Sequence, residues 1–387
     1  MKVKWIEKKL SEIATMIDYR GKTPQKTEKG IPLITAKIVK NGIILPANEF
    51  IAKENYASWM TRGYPLVGDV VLTTEAPLGE VAQLREANVA LAQRIITIRG
   101  KEGILDNSYL KYFLQSSVGQ ARLRARETGT TVTGIKASEL REISIPVPDI
   151  KRQQQIAKML LDLDEKIYNT TQINHNLEEQ ANILLEQNCS HRKSLKLGDI
   201  ISFVNGYAFK SSSYVTKGAF KVITIKNVQD GKIETSGADC VSEIPENMKS
   251  ECALQIGDIL LSLTGNVGRT GIVCEENLLL NQRVAKIVPH KRELLSTIYF
   301  IFRRAATKKS LETISRGTAQ LNLSPVETLD VKIPLCIESL VNMAPFLDSF
   351  FEQIVSNEQE CQRLIKLRDA LLPKLMSGEI DVSEVEV

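Results

Sequence analysis

The chain is poor in the side chains from which metal centres and active sites are commonly assembled. Its histidines are only His175, His191 and His290, and its six cysteines (Cys189, Cys240, Cys252, Cys274, Cys336 and Cys361) form no CxxC pair. No zinc framework is legible in that pattern, and reduced, mostly buried thiols are expected. Cys189-Ser190-His191 has the spacing of one ligand pair without a second to answer it, which favours a surface turn. Long apolar runs are missing too. No window approaches the roughly 20 residues of a membrane span, and the opening MKVKWIEKKLSEIA holds no signal-like run. A cytoplasmic protein without a membrane partner is expected. Charge of one sign is also lacking, because 50 Lys+Arg stand against 46 Asp+Glu, for a net charge of +4. A nucleic-acid surface would then have to be local.

Enzyme signatures fail on spacing. Gly21-Lys22-Thr23 mimics the end of a P-loop, but the glycine required five residues earlier is Met16. Gly265, Gly268 and Gly271 do not make GxGxxG and follow a strand with no helix pattern behind it, which argues against a dinucleotide or S-adenosylmethionine site. No NPPY-like tetrapeptide of the amino-methyltransferase kind occurs. Asp149-Ile150-Lys151 opens a helix rather than lining a cleft, so a nuclease reading of it is weak. Nothing in the residues supports catalysis.

What the chain does have is one stretch, Ile150 to Asn188, free of proline and glycine. A helix of that length runs roughly 55 Å at 1.5 Å per residue, more than a globular domain needs. Ala157, Leu160, Leu163, Ile167, Leu177, Ala181 and Leu184 recur in the three-four rhythm of a coiled-coil seam. Thr170, Asn174 and Asn188 interrupt it with polar groups, as in seams that fix register. On either side lie runs that read as short strands, IPLITA, DVVLTT, RIITI and ISIPVP before it and FKVITI, GDILLSL and RVAKIV after it. NSYLKYFLQSSVGQARLRARE and STIYFIFRRAATKKSLETIS have helical spacing.

These landmarks repeat. Gly68-Asp69 recurs 189 residues later as Gly257-Asp258, Gly79 as Gly268, and Gln93-Arg94 as Gln282-Arg283. IPLITAKIVKNG answers FKVITIKNVQDG, setting Thr35 and Lys37 on Thr224 and Lys226. The chain is therefore a tandem duplication. A shift of 187 carries Leu160, Leu163, Ile167, Leu177 and Leu184 onto Leu347, Phe350, Ile354, Leu364 and Leu371, so a second long helix is predicted from about Ser339 to Met376. Pro373 should stop or kink it, with Ser377-Gly378 as its cap. Each helix has only the other as an equally long partner, and short connections favour antiparallel pairing. The expected fold is α+β: two similar mixed α/β domains, residues 1–146 and 193–335, joined by antiparallel coiled-coil helices in 147–192 and 336–387 with pseudo-two-fold symmetry.

PVPDIKRQQQIAKMLLDLDEKI, the terminal LRDALLPKLMSGEI and two copies of Gly-Thr leading after fifteen residues to Pro and a long helix resemble the specificity subunit of type I restriction-modification systems. RGKTP, GIPLITAKIVKNG and TTEAPLGEVA look like elements of that family's target-recognition domains, and the likeness spans the chain. The second helix departs from it, opening PLCIESLVNMA rather than PVPDIKRQQQIA. The resemblance implies a non-catalytic subunit that selects the sequence on double-stranded DNA. It would scaffold two modification subunits, N6-adenine methyltransferases, together with restriction subunits. S-adenosylmethionine, ATP and Mg2+ would belong to those partners, leaving this chain without a cofactor or metal of its own. Two related heads should read a bipartite, asymmetric site, and the helices should set the distance between its halves.

The duplication also sorts candidate DNA contacts, because residues common to both heads suit scaffold or phosphate and differing ones suit bases. Lys37, Gln93 and Arg94, with Lys226, Gln282 and Arg283, fall in the first group. Arg20, Lys22, Thr23, Lys40, Thr74 and Glu75 in head one, and Lys210, Ser211, Asn227, Thr264, Asn266 and Arg269 in head two, fall in the second. Thr130, Thr131, Thr318 and Gln320 form a matched loop before the closing strands. Arg122, Arg124 and Arg126, answered by Arg303, Arg304, Lys308 and Lys309, are expected to steer phosphates.

Overall fold

A strand that is apolar on both faces needs cover on both faces. In the computed structural model, which describes residues 5–129, 133–189, 194–317, 321–383 and 385, Val70–Thr74 is such a strand, buried at every position. It lies inside a sheet ordered Ala14–Asp18, Ile95–Gly100, Val70–Thr74, Leu78–Gln83, antiparallel throughout. Val70, Leu72, Ile96 and Ile98 point into one core with Tyr109, Leu110 and Phe113, while Val71, Ala82 and Ile95 point into another with Leu33, Ile51 and Leu91. The two-residue period of the strand thus feeds two cores at once. A second sheet, Ala90–Leu91, Ile31–Ile34, Phe50–Ile51 and Lys26–Thr27, covers the latter. A ribbon of Ile6–Lys9 against Ser144–Val147 closes the head.

The second half is built the same way. Ile201–Asn205, Val284–Pro289, Ile259–Ser262 and Thr270–Ile272 repeat the antiparallel order, and Gly231–Lys232 adds a parallel edge. Ile259 and Leu261 face one core, Leu260 and Val284 the other. The offset of 189 reaches single backbone hydrogen bonds. Leu84 N–H donates to Asp69 O at 2.9 Å and Val273 N–H to Asp258 O at 2.9 Å; Leu45 donates to Ile38 and Glu234 to Asn227, both at 2.8 Å. Gly68 and Gly257 hold φ of +90° and +91°, a left-handed setting that glycine adopts without strain.

The two predicted stretches of short helix are each broken in the middle. Asn107–Gln115 gives way to Ser117–Arg124, and Leu295–Arg303 to Ala305–Ile314. At the first break Ser116 is extended and its hydroxyl accepts from Gly119 N–H at 3.1 Å, restarting the helix as an N-cap. The long helices run Ile150–Gln187 and Ile337–Met376. Pro373 does not stop the second one. It continues to Met376 and closes through Gly378 N–H to Leu375 O.

The chain divides into two units, Met1–Glu165 with Ile365–Val387, and Lys166–Leu364. Each contains one head and a stretch of both long helices, which run antiparallel within it. In the first unit Asp164 meets Arg368 and Arg152 meets Asp381. In the second, Asn174 accepts from Asn357 at 2.7 Å and Lys166 meets Glu360. Of the expected seam, Leu160, Leu347, Ile354 and Leu364 are buried, whereas Leu163, Ile167, Leu177, Leu184, Phe350 and Leu371 are half-buried. Leu185, Phe351 and Leu375, outside the heptad template, are also buried, packed into the cores of the heads.

Candidate nucleic-acid interface

At the C-terminal end of Val70–Thr74 several separate segments are tied together. Ile135 N–H donates to Thr74 O, Thr74 N–H donates to Arg94 O, and Gly134 bridges both Glu75 and Thr128. Arg94 Nε meets Glu75 Oε1 at 2.9 Å. Arg20 reaches the same place, donating to Ile135 O at 2.9 Å while its fork grips Asp18. The second head repeats the junction, with Leu323 N–H to Leu263 O, Leu263 N–H to Arg283 O, and Asn322 bridging Thr264 and Arg316. Residues from Arg20 to Ile135 in the first head, and from Leu263 to Leu323 in the second, therefore converge on one rim of each head. Thr130, Thr131, Thr318 and Gln320 lie outside the described residues.

The candidate side chains differ in availability. Lys22, Thr23, Lys37, Lys40, Lys210, Ser211, Lys226, Asn266, Gln282 and Arg283 are exposed, and Gln93, Glu75 and Thr264 half so. Lys22 Nζ touches Thr61 Oγ1 at 3.2 Å, and Lys37 lies 3.8 Å from Glu49. Arg94 and Arg283, matched in sequence, are unlike in setting: the first is held by Glu75, whereas the second has no side-chain partner among the described residues. Arg269 is steered by Gln229, at 2.9 Å.

Four expected contacts prove to be internal. Thr74 is 2% exposed and its hydroxyl has no partner among the described residues, so it faces the core. Asn227 is buried in its own turn, accepting from Thr224 and donating to Glu234 O. Arg20 is occupied by Asp18 and Ile135. Arg122, expected to steer phosphate, instead forms a two-pronged pair with Glu7 at 2.8 and 2.9 Å, donates to Ser144 O, and lies over the Phe113 ring. It clamps the closing ribbon. Arg126 pairs with Glu139, and Arg303 with Glu178 and Asp230, for the same structural ends. Arg124 and Lys309 remain exposed, so the predicted cationic strip is reduced to isolated charges. The reason is one of distance along the chain, since Glu7 is 115 positions from Arg122.

Sequence reasoning overlooked Tyr19 and Arg62. Tyr19 stacks on Trp59 and accepts from Arg62 N–H, while Arg62 donates to Asp18 O and Arg20 O, fastening the RGKTP turn from outside. No local pattern announces such a brace. Among the described residues no group of histidine, cysteine, aspartate or glutamate is arranged to hold a metal ion, and no helix is long and apolar enough to cross a membrane.

Residues 2–179 and 191–366 each match the family described as type I restriction modification DNA specificity domain. Among curated relatives, the specificity subunit of the type I restriction enzyme MjaVIII from Methanocaldococcus jannaschii is 25% identical, covering 96% of this chain and 93% of its own. That of MjaIX from the same organism is 26% identical over 98% and 94%. The crystal structure of a type I restriction-modification S subunit from M. genitalium superposes with a TM-score of 0.55 at 17% identity, covering 97% of this chain and 96% of the other, and so shares its fold.

Proposed function

We propose, from the premise that this chain belongs to the type I restriction-modification DNA specificity family, that each of its heads reads one half of a two-part, asymmetric site on double-stranded DNA. The chain is a specificity subunit, not the component that performs chemistry. The observation that carries the bipartite reading is the pairing of matching backbone junctions with different rim residues: Glu75 holds Arg94 in one head, whereas Thr264 stands at its place in the other and Arg283 has no side-chain partner among the described residues. A common frame gives both heads the same approach to the duplex; unlike side chains give them different bases. Lys37, Gln93, Arg94, Arg124, Lys226, Gln282 and Arg283 suit phosphates, and Lys22, Thr23, Lys40, Glu75, Lys210, Ser211, Thr264, Asn266 and Arg269 suit base edges. The long helices set the number of unread base pairs between the halves. They also carry two modification subunits that methylate adenine N6, joined by restriction subunits, with S-adenosylmethionine, ATP and Mg2+ bound by those partners.

The test is genome-wide mapping of methylated adenines in cells that supply the modification subunits, with and without this chain. A two-part motif of fixed spacing that appears only with the chain is expected. A continuous motif, or methylation unaffected by the chain, overturns the proposal.

A further inference from the structure

Each head carries a tyrosine on its matched short helix, Tyr112 as the sixth residue of Asn107–Gln115 and Tyr299 as the fifth of Leu295–Arg303, and each takes part in a covered ionic cluster joining head to helix. In the first unit Asp164 of the first long helix accepts Lys111 Nζ and the Tyr112 hydroxyl on Oδ2, both at 2.7 Å, and Arg368 Nη1 of the second long helix on Oδ1 at 2.9 Å. Lys111 and Tyr112 are buried. In the second unit Glu178 accepts the Tyr299 hydroxyl at 2.7 Å and takes Arg303 on both oxygens, at 2.9 and 2.8 Å, while Phe351 of the other helix meets the Tyr299 ring edge-on with centroids 5.3 Å apart. Burial holds both tyrosine hydroxyls far above their ordinary pKa, so they remain donors.

Leucine packing alone tolerates small rotations of a helix against a head, because one apolar contact replaces another. A carboxylate with three fixed donors does not. Turning the helix by one residue swings Asp164 by about 100° and leaves Lys111 buried without its counter-charge. We propose that the Asp164 and Glu178 clusters are positioning locks that hold each head in one rotational setting on its helices and thereby restrict the protein to a single separation between half-sites. This inference rests on the two-part reading above. It concerns a property of that site, the strictness of its spacing, which the recognised bases do not determine.

The experiment compares methylated-adenine maps from cells expressing the modification subunits with wild-type chain, with Lys111→Met combined with Asp164→Leu, with Glu178→Gln, and with Tyr112→Phe. The double variant removes both charges of the Lys111–Asp164 pair, so no lysine is left buried without a counter-charge; Arg368 keeps Asp369 as a partner, and the Tyr112 hydroxyl loses its acceptor. The lock predicts unchanged bases in both halves, but motifs one base pair longer or shorter rising about tenfold over their wild-type level. A single unaltered spacing, whether total methylation stays level or falls uniformly, overturns it, since a merely structural cluster would lower occupancy without broadening spacing. If the double variant fails to co-purify with its partners, Tyr112→Phe, which keeps the ring packing, decides by the same criterion. A wild-type map with no two-part motif removes the underlying reading, and the lock with it.

Discussion

Gln153 and Leu340 stand 187 residues apart at the roots of the two long helices and fasten helix to head by opposite means. Gln153, fully buried, donates to Ile104 O and Pro148 O at 3.0 and 2.9 Å and accepts from Asp106 N–H at 2.9 Å. Leu340, equally buried, packs among Met343, Leu347 and the apolar side chains of the second head. The same contrast recurs three turns on, where Asp164 of the first repeat corresponds to Phe351 of the second. One tyrosine meets a carboxylate on its own following helix; the other meets a phenyl ring there and takes its carboxylate, Glu178, from the preceding helix. A duplicated joint can therefore exchange polar for apolar fastening as long as every buried group keeps a partner. The departure of PLCIESLVNMA from PVPDIKRQQQIA is the sequence trace of that exchange.

The comparison breaks most sharply at Asp164 and Phe351. Asp164→Ala should cost about 3 kcal/mol, because Lys111 stays buried without its counter-charge. Phe351→Ala should cost about as much through the cavity it leaves. Acid separates the two. Burial works to raise the Asp164 carboxyl, but Lys111, Tyr112 and Arg368 outweigh it and hold the group below its ordinary value near 3.8. A carboxyl depressed in the folded state stabilises fully above its unfolded pKa, and that contribution is lost as pH falls through the lower native value. Thermal melting against pH should thus lose the Asp164 difference below about pH 4, while the Phe351→Ala difference persists. A pH-independent Asp164→Ala effect would refute the ionic account.

A smaller effect is expected at the roots. Gln153→Leu orphans Asp106 N–H together with two carbonyls and should cost about 2 kcal/mol in denaturant unfolding. Leu340→Gln should cost a similar amount by burying an amide with nothing built to meet it. Equal tolerance of both exchanges would show that the joints are interchangeable. In the helices themselves, Asn174→Leu with Asn357→Leu removes two hydrogen bonds, Asn357 to Asn174 and the exposed Gln353 to Asn357, and adds apolar contact, so melting should stay within about 1 kcal/mol of wild type. Least of all for stability, Arg124→Ala should change unfolding by no more than about 0.5 kcal/mol, yet lower the salt slope of DNA binding by about one. Arg122→Ala, its neighbour, should instead destabilise the closing ribbon.

The repeat, the long helices and several of the strands were open to sequence reading because spacing and period are local properties. Gly68 and Gly257 announced the same turn twice, and the hydrogen bonds around Asp69 and Asp258 match them. Breaks at Ser116 and Arg304 were hidden because apolar spacing carries across a one-residue interruption. The seam was partly misread for a related reason: Leu185, Phe351 and Leu375 obey the demands of the heads, which a heptad pattern does not encode. At the rim, residue types suggested candidate DNA contacts but not the partners that occupy some of them. Whether an arginine is open, like Arg283, or closed, like Arg122 and Arg303, depends on carboxylates 115 to 125 positions away.

Gln155 Nε2 donates to Val385 O at 2.7 Å, and Arg152 reaches Asp381, so residues beyond the second long helix return to the root of the first. The first unit is consequently assembled from segments on both sides of the second, which is a single uninterrupted span, Lys166–Leu364. During synthesis the second unit has all its parts as soon as that span has left the ribosome, whereas the first waits, its core short of Leu375 and Met376, until the closing segment emerges. Domains that emerge complete fold as units while translation continues. The half translated first is therefore the half finished last.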